Sequence, residues 1–325
     1  MYKAKMTGTG AYLPSRVLTN KDLESVVETS DEWIVSRTGI RERRIAAAEE
    51  ATSDLAYRAA VDALADAGLS AEELDAIIVA TITPDMAFPA TACLVQARLG
   101  AKNAAAFDVG AACTGFIYAL QLARQGVVAG DWEHVLVIGA ECLSRIVDWT
   151  DRNTCVLFGD GAGAAVISRS LTDGQIISGV HLGADGNGAD VLLLPAGGSR
   201  RPADTITVAE RQHYVQMNGQ EVYKFAVRIV EEAGGRLLDK LGLSFADVDF
   251  VVPHQANMRI IESFAKRLKL PMTKVAVNLD FYGNMSSASV PVALHQFKHN
   301  FQAKDRVLLV GFGGGLTWGS ALLEW

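Results

Sequence analysis

The stretch of this sequence best equipped for chemistry is Ala105-Ala106-Phe107-Asp108-Val109-Gly110-Ala111-Ala112-Cys113-Thr114-Gly115-Phe116. It reads as the end of a buried strand, a tight turn of small residues and the first turn of a helix. That helix continues with apolar residues at helical spacing through Ile117-Tyr118-Ala119-Leu120-Gln121-Leu122-Ala123-Arg124, until Gly126 and Gly130 offer a stop. Cys113 therefore falls where backbone N–H groups are unpaired and the helix dipole is positive. Such a setting favours the thiolate, the nucleophilic form of cysteine. Gly110, Ala111, Ala112 and Gly115 leave space beside the sulfur for a substrate carbonyl. Taken alone, the same stretch fits a small buried hydrophobe equally well.

Two further side chains join it. Phe250-Val251-Val252-Pro253-His254-Gln255-Ala256-Asn257 places His254 at the mouth of a buried strand, just before a helix, and strand ends of open α/β sheets are where ligands bind. His134, His181, His213, His295 and His299 lie among polar or loop residues and need no such role. Asn284, after Gly283 and before Ser286-Ser287-Ala288-Ser289-Val290-Pro291, reads by itself as a turn residue. The argument rests on the three together.

What must position them is an α/β chain, since short apolar runs alternate with helical patterns throughout. Its two halves rhyme. Gly68-Leu69-Ser70-Ala71-Glu72-Glu73-Leu74-Asp75-Ala76-Ile77-Ile78-Val79 matches Gly242-Leu243-Ser244-Phe245-Ala246-Asp247-Val248-Asp249-Phe250-Val251-Val252-Pro253, each a helix exit at Gly, a Ser-capped turn and a buried strand. Val135-Leu136-Val137-Ile138-Gly139 matches Val307-Leu308-Leu309-Val310-Gly311, and Met6-Thr7-Gly8-Thr9-Gly10 corresponds more loosely to Ile177-Ser178-Gly179-Val180-His181. The order implies duplicated halves, 1–173 and 174–325, with Cys113 in the first and His254 and Asn284 in the second. Two glycine-rich stretches do not make a dinucleotide site. After Phe158-Gly159-Asp160-Gly161-Ala162-Gly163 an apolar strand follows where a phosphate-binding helix is required, and Gly311-Phe312-Gly313-Gly314-Gly315 has no room for a βαβ unit after it.

Composition narrows the class. The chain has 325 residues, 50% apolar and 21% charged, with a formal net charge of −7, which argues against non-specific nucleic-acid binding. Cys93, Cys113, Cys142 and Cys155 form no C-x-x-C pair and no Cys/His metal spacing. Met1-Tyr2-Lys3-Ala4-Lys5 leads straight into a strand, and no apolar run has the length of a membrane span. The expectation is a cytoplasmic protein with reduced thiols and neither a membrane nor a nucleic-acid partner.

Asp108-Val109-Gly110-Ala111-Ala112-Cys113-Thr114-Gly115, Pro253-His254-Gln255-Ala256-Asn257, Tyr282-Gly283-Asn284 and Gly313-Gly314-Gly315-Leu316-Thr317-Trp318-Gly319-Ser320 resemble the β-ketoacyl-acyl carrier protein synthase III family. Thr29-Ser30-Asp31-Glu32-Trp33-Ile34 and Arg37-Thr38-Gly39-Ile40 extend the resemblance over essentially the whole chain. It implies an α/β, thiolase-like fold of two duplicated halves in a five-layer αβαβα arrangement, working as a homodimer. It also implies decarboxylative condensation of a short acyl-CoA, acetyl-CoA first, with malonyl-acyl carrier protein, opening fatty-acid biosynthesis. Cys113 would be the nucleophile, the amides of Cys113 and Gly314 the oxyanion hole, and His254 and Asn284 the donors to the enolate oxygen. No metal or cofactor is implied, because the coenzyme A thioester is itself the substrate.

The resemblance assigns further positions. Thr29, Trp33, Arg37, Arg152, Gly219, Tyr223 and Asn257 match a coenzyme A tunnel, with Trp33 and Arg37 as an adenine sandwich. Phe88, reaching from the dimer partner, and Leu143 and Phe158 match the walls of the acyl pocket. A bulky floor there implies acetyl to butyryl starters, since each further methylene would overpack the site. Lys224, Arg259 and Lys266 match carrier-docking positions, the last two on a helix that buries Ile260, Ile261, Phe264 and Leu268. Tyr223 stands where Phe is common in the family, Asn218 where Ala is common and Met285 where Thr is common. Two other readings compete. A cysteine hydrolase would want G-x-C-x-G, but position 111 is Ala. A polyketide- or quinolone-type condensing enzyme of secondary metabolism shares the Cys-His-Asn set.

Overall fold

The computed structural model of the protein describes residues 2–325. Nine strands form one sheet: β1 (Lys3–Tyr12), β2 (Ala76–Ala80), β3 (Ala105–Val109), β4 (His134–Glu141), β5 (Gly161–Ser170), β6 (Ile176–Ala184), β7 (Phe250–Pro253), β8 (Arg306–Gly313) and β9 (Thr317–Glu324). Their spatial order is β7-β8-β9-β6-β1-β5-β4-β2-β3. Between β1 and β6 the register holds at a single pair, Lys5 opposite Ile176. The sheet is thus two leaves, β1 to β5 and β6 to β9. Each leaf repeats one pattern: β2 runs parallel to β4 as β7 does to β8, and antiparallel neighbours β5 and β1 follow as β9 and β6 do.

Helices fill three layers around these leaves. The longer ones are α1 (Asp31–Thr38), α2 (Thr52–Ala67), α3 (Thr91–Leu99), α4 (Gly115–Ala129), α5 (Gly219–Leu241), α6 (Met258–Arg267) and α7 (Ser289–Phe297). Side chains alternate across a strand, and the core records which layer each one meets. Ile77, Val79, Leu136 and Ile138 pack outward on Leu55, Ala59 and Ala63 of α2. Ile78, Val135 and Val137 point inward to Phe116 and Leu120 of α4, where Val307 and Leu309 of the second leaf meet them. Leu308 and Val310 face the other way, onto Phe225, Ile229 and Leu237 of α5. With α4 and α7 touching both leaves, the layers run helix, sheet, helix, sheet, helix. Strands covered on both faces explain the unbroken apolar runs in the sequence.

The matched segments adopt matched structures. Gly68 (φ 67°, ψ 29°) and Gly242 (φ 70°, ψ 28°) end α2 and α5 in the left-handed conformation that glycine reaches without strain. Ser70 and Ser244 then form capping boxes with Glu73 and Asp247. A second correspondence concerns the two central helices. A 3₁₀ turn at Ala112–Thr114 runs into α4 and another at Ser286–Ala288 runs into α7. Each begins on a non-glycine residue at positive φ, Ala112 at 46° and Ser286 at 47°, and the two turns lie against each other. α4 does not stop at Gly126; it continues to Ala129 and closes on Gly130, at φ 90°. No helix among the described residues is long and apolar enough to cross a membrane.

Candidate active site

Cys113 lies in the turn that opens α4 and is buried. Burial pushes its thiol up to about 12, with the Ser286 hydroxyl beside it acting in the opposite direction. The expectation of a thiolate preformed at the helix start is therefore corrected. Desolvation outweighs the favourable helix end, and the sulfur keeps its proton at neutral pH. The backbone explains how this cysteine can sit so deep. A Cβ on Gly313 would lie 2.7 Å from the Cys113 nitrogen, so only glycine lets β8 pass this close to the Cys113 amide.

His254 and Asn284 reach the same cavity as Cys113. His254 follows β7, its amide bonded to the Val310 carbonyl at 2.8 Å and its ring edge-on to Phe312 at 5.5 Å. It is almost fully buried, Nδ1 has no hydrogen-bond partner, and burial lowers its pKa to about 3. The ring is thus a neutral imidazole that can donate one hydrogen bond. The Asn284 amide donates to the Leu157 carbonyl, 2.9 Å, and its own carbonyl accepts from Gly159 N, 3.0 Å. Its Oδ1 accepts from Ser286 N at 2.8 Å, which leaves the side-chain NH₂ as the free end. Two neutral donors thus share a cavity with the thiol. That set can stabilise negative charge growing on a bound oxygen.

The remaining predicted residues divide between two exits from Cys113. Leu143 and Phe158 line a second cavity, together with Ile82, Leu192, Ser286 and Gly314. Phe88 is not among its walls and stands 84% exposed on the surface of its own chain. Gly219, Tyr223 and Asn257 line the first cavity. Beyond Gly219 it meets a recess bordered by Arg37, Asn153 and Asp190. Asn257 also caps α6 through Arg259 N, 2.9 Å, and donates to the Arg37 carbonyl, 3.1 Å. Thr29 holds a buried hydroxyl without a partner. On the rim, Arg259 stacks over Tyr223 at 5.8 Å, Lys224 pairs with Glu221 at 2.8 Å and Lys266 is exposed.

Residues 107–186 match the family described as 3-oxoacyl-[acyl-carrier-protein (ACP)] synthase III, and residues 238–325 match its C-terminal family. The beta-ketoacyl-[acyl-carrier-protein] synthase III of Caldanaerobacter subterraneus subsp. tengcongensis is 57% identical over 324 residues, covering 99% of this chain and 98% of the relative. That of Desulfitobacterium hafniense is 55% identical over 327 residues, covering 100% and 98%. The chain belongs to the synthase III family. The crystal structure of the Aquifex aeolicus member superposes with a TM-score of 0.91 at 50% identity, covering 99% of this chain and 100% of that one. The α/β fold is accordingly the thiolase-like fold of the synthase III family, and the protein is an acyltransferase of the condensing type.

In this synthase III chain the guanidinium over the Trp33 ring is that of Arg152, 4.8 Å from its centroid, a contact that sequence reasoning did not include, while Arg37 borders the outer recess. Arg152 opens the short helix Arg152–Cys155 and donates to the Glu28 carbonyl at 2.9 Å. Sequence reasoning also passed over Ser286, whose buried hydroxyl borders Cys113. The signal was present in the repeat, since Ser286-Ser287 fall opposite Ala112-Cys113 once the helix starts are superposed.

Proposed function

We propose that the protein condenses a short acyl-CoA, acetyl-CoA first, with malonyl-acyl carrier protein, giving 3-oxoacyl-acyl carrier protein, coenzyme A and CO₂ at the start of fatty-acid biosynthesis. The observation that carries this reading is the meeting of Cys113, neutral His254 and the NH₂ end of Asn284 in one buried cavity. Cys113 attacks the acyl-CoA carbonyl, and the proton leaves the thiol as the C–S bond forms and passes to the departing coenzyme A thiolate. The amides of Cys113 and Gly314 hold the oxyanion of the tetrahedral intermediate. Malonyl thioester then loses CO₂, His254 and Asn284 hold the enolate oxygen, and the carbanion attacks the acyl-cysteine, forming the C–C bond as the C–S bond breaks and the Cys113 thiolate leaves to take up a proton from solvent. The steps are thioester exchange, decarboxylation and C–C bond formation with thiolate as leaving group, with no net change of oxidation state, so the reaction calls on no redox cofactor.

The acyl group occupies the cavity of Leu143 and Phe158, and the partner protomer closes it with Phe88, limiting starters to acetyl through butyryl. An 84% exposed phenylalanine and the unpaired outer edge of β3 support a homodimer. The pantetheine arm passes Gly219, Tyr223 and Asn257, while Thr29, Trp33, Arg37 and Arg152 hold the nucleotide end. Lys224, Arg259 and Lys266 receive the acidic carrier. The enzyme is cytoplasmic, and its halves are residues 1–173 and 174–325.

The test is release of coenzyme A from acetyl-CoA. Release beyond one equivalent per active site should require malonyl-acyl carrier protein, should persist with butyryl-CoA and fail with lauroyl-CoA, and Arg259→Glu should raise the KM for the carrier alone. Continued multiple-turnover release without any malonyl thioester would make the protein a hydrolase. Use of malonyl-CoA in preference to the carrier would favour the secondary-metabolism reading.

A further inference from the structure

The repeat places a counterpart of the active site in the first leaf. By the matched strands and helix starts, Ser287 stands where Cys113 stands, Ala80 where His254 stands, and Glu141 where Gly313 stands. Around Cys113 the glycine leaves open space. Around Ser287 the space is filled by the Glu141 side chain, which is fully buried.

The contacts of Glu141 favour a protonated carboxyl. Oε2 accepts from Thr83 Oγ1 at 2.7 Å, Ile82 N at 3.1 Å and Thr81 Oγ1 at 3.2 Å. Oε1 lies 2.9 Å from Ser287 Oγ, and Ser287 Oγ lies 2.8 Å from the Ala80 carbonyl oxygen. Ser287 has one hydroxyl hydrogen and the Ala80 carbonyl can only accept. A full hydrogen bond at each contact is reached when Ser287 donates to the Ala80 carbonyl and a proton on Oε1 is donated to Ser287. None of the ion pairs among the described residues involves Glu141. Burial without a cation also favours the protonated acid. A charge at this point would act against any thiolate forming on Cys113.

Ser287 is bonded in sequence to Ser286, whose amide orients Asn284 through Oδ1. We propose that Glu141 is a positioning residue of the condensation: as a neutral acid it anchors Ser287, and through that turn it aims the Asn284 amide into the active site. The inference rests on Asn284 holding the enolate oxygen in the proposed reaction.

The experiment measures two half-reactions separately, acetylation of Cys113 by intact mass and CO₂ release from malonyl-acyl carrier protein, with thermal unfolding alongside. Wild type performing both secures the underlying reading; wild type failing to release CO₂ would defeat that reading before any variant is made. Glu141→Ala and Ser287→Ala should lower CO₂ release by about a hundredfold, the effect of a small misplacement of a reacting group. They should leave acetylation within about threefold of wild type. Glu141→Gln, whose NH₂ can donate to Ser287 and whose oxygen can accept from the threonines, should keep both half-reactions and the wild-type pH profile. Should Glu141→Ala fail to fold, Ser287→Ala and Glu141→Gln carry the test. Loss of CO₂ release in Glu141→Gln, equal loss of both half-reactions in Ser287→Ala, or full CO₂ release in Ser287→Ala would each overturn the proposal.

Discussion

α4 and α7 start in the same way, yet only one start is built to react. Both follow a positive-φ residue, both pass through a 3₁₀ turn, and both lie between the two leaves. Backbone geometry and helix polarity are therefore shared, and neither can be what makes Cys113 the candidate nucleophile. The difference lies in what faces each turn. Cys113 meets Gly313, His254 and a cavity, whereas Ser287 meets Glu141, Ala80 and solid packing. A helix start supplies amides and a dipole; reactivity further requires an opening and donors across it.

The sharpest way to break this comparison is to move the thiol. Cys113→Ala should lower condensation by about 10⁴-fold or more, as loss of a nucleophile does, and should abolish the acetyl adduct. Adding Ser287→Cys to that variant should restore nothing, because that turn has no route to substrate. An acetyl adduct on residue 287 by intact mass would show that the backbone turn alone is sufficient. Next in size is His254→Ala. It should still accept acetyl from acetyl-CoA while CO₂ release falls by about 10²–10³-fold, the cost of one lost oxyanion donor. Since His254 is already neutral, the wild-type rate should show no break at the usual histidine pKa of about 6.5, and such a break would mean that the ring titrates. Gly313→Ala, which thrusts a methyl at the Cys113 amide, should cost about a hundredfold in acetylation. It should also lower stability by about 1–3 kcal/mol, read by denaturant titration. The smallest effect sharpens rather than breaks. Alkylation of Cys113 by iodoacetamide should rise about tenfold per pH unit beyond pH 9 without a plateau, because the raised pKa keeps the thiolate scarce. A plateau near neutrality would mean that the helix end prevails over burial after all.

The parts of this arrangement that local sequence encodes were readable. A glycine at a helix exit, a serine cap and an apolar run need only their neighbours, so the repeat is legible in 68–79 and 242–253 alone. Cys113, His254 and Asn284 could be nominated because each stands where a strand or turn gives way to a helix. Depth could not be read in this way. That the Cys113 thiol is held at about 12 depends on β8 and the Ser286 turn closing over it, contacts made across more than a hundred residues. Arg152 over Trp33 and Glu141 under Ser287 are likewise tertiary, and nothing in Gly139-Ala140-Glu141-Cys142 distinguishes a buried neutral acid from a surface carboxylate.

The first turn of α4 is covered from both sides, with Phe116, Ile117, Ala119 and Leu120 all buried between the leaves. Local fraying, the cheap motion open to most catalytic loops, has no outlet there, because exposing that turn requires the two leaves to separate. Cys113 therefore inherits its precision from the free energy of the entire fold. A destabilising substitution far away, in the α2 or α5 layer, would leave the surviving molecules with an unaltered Cys113 turn and simply make them fewer.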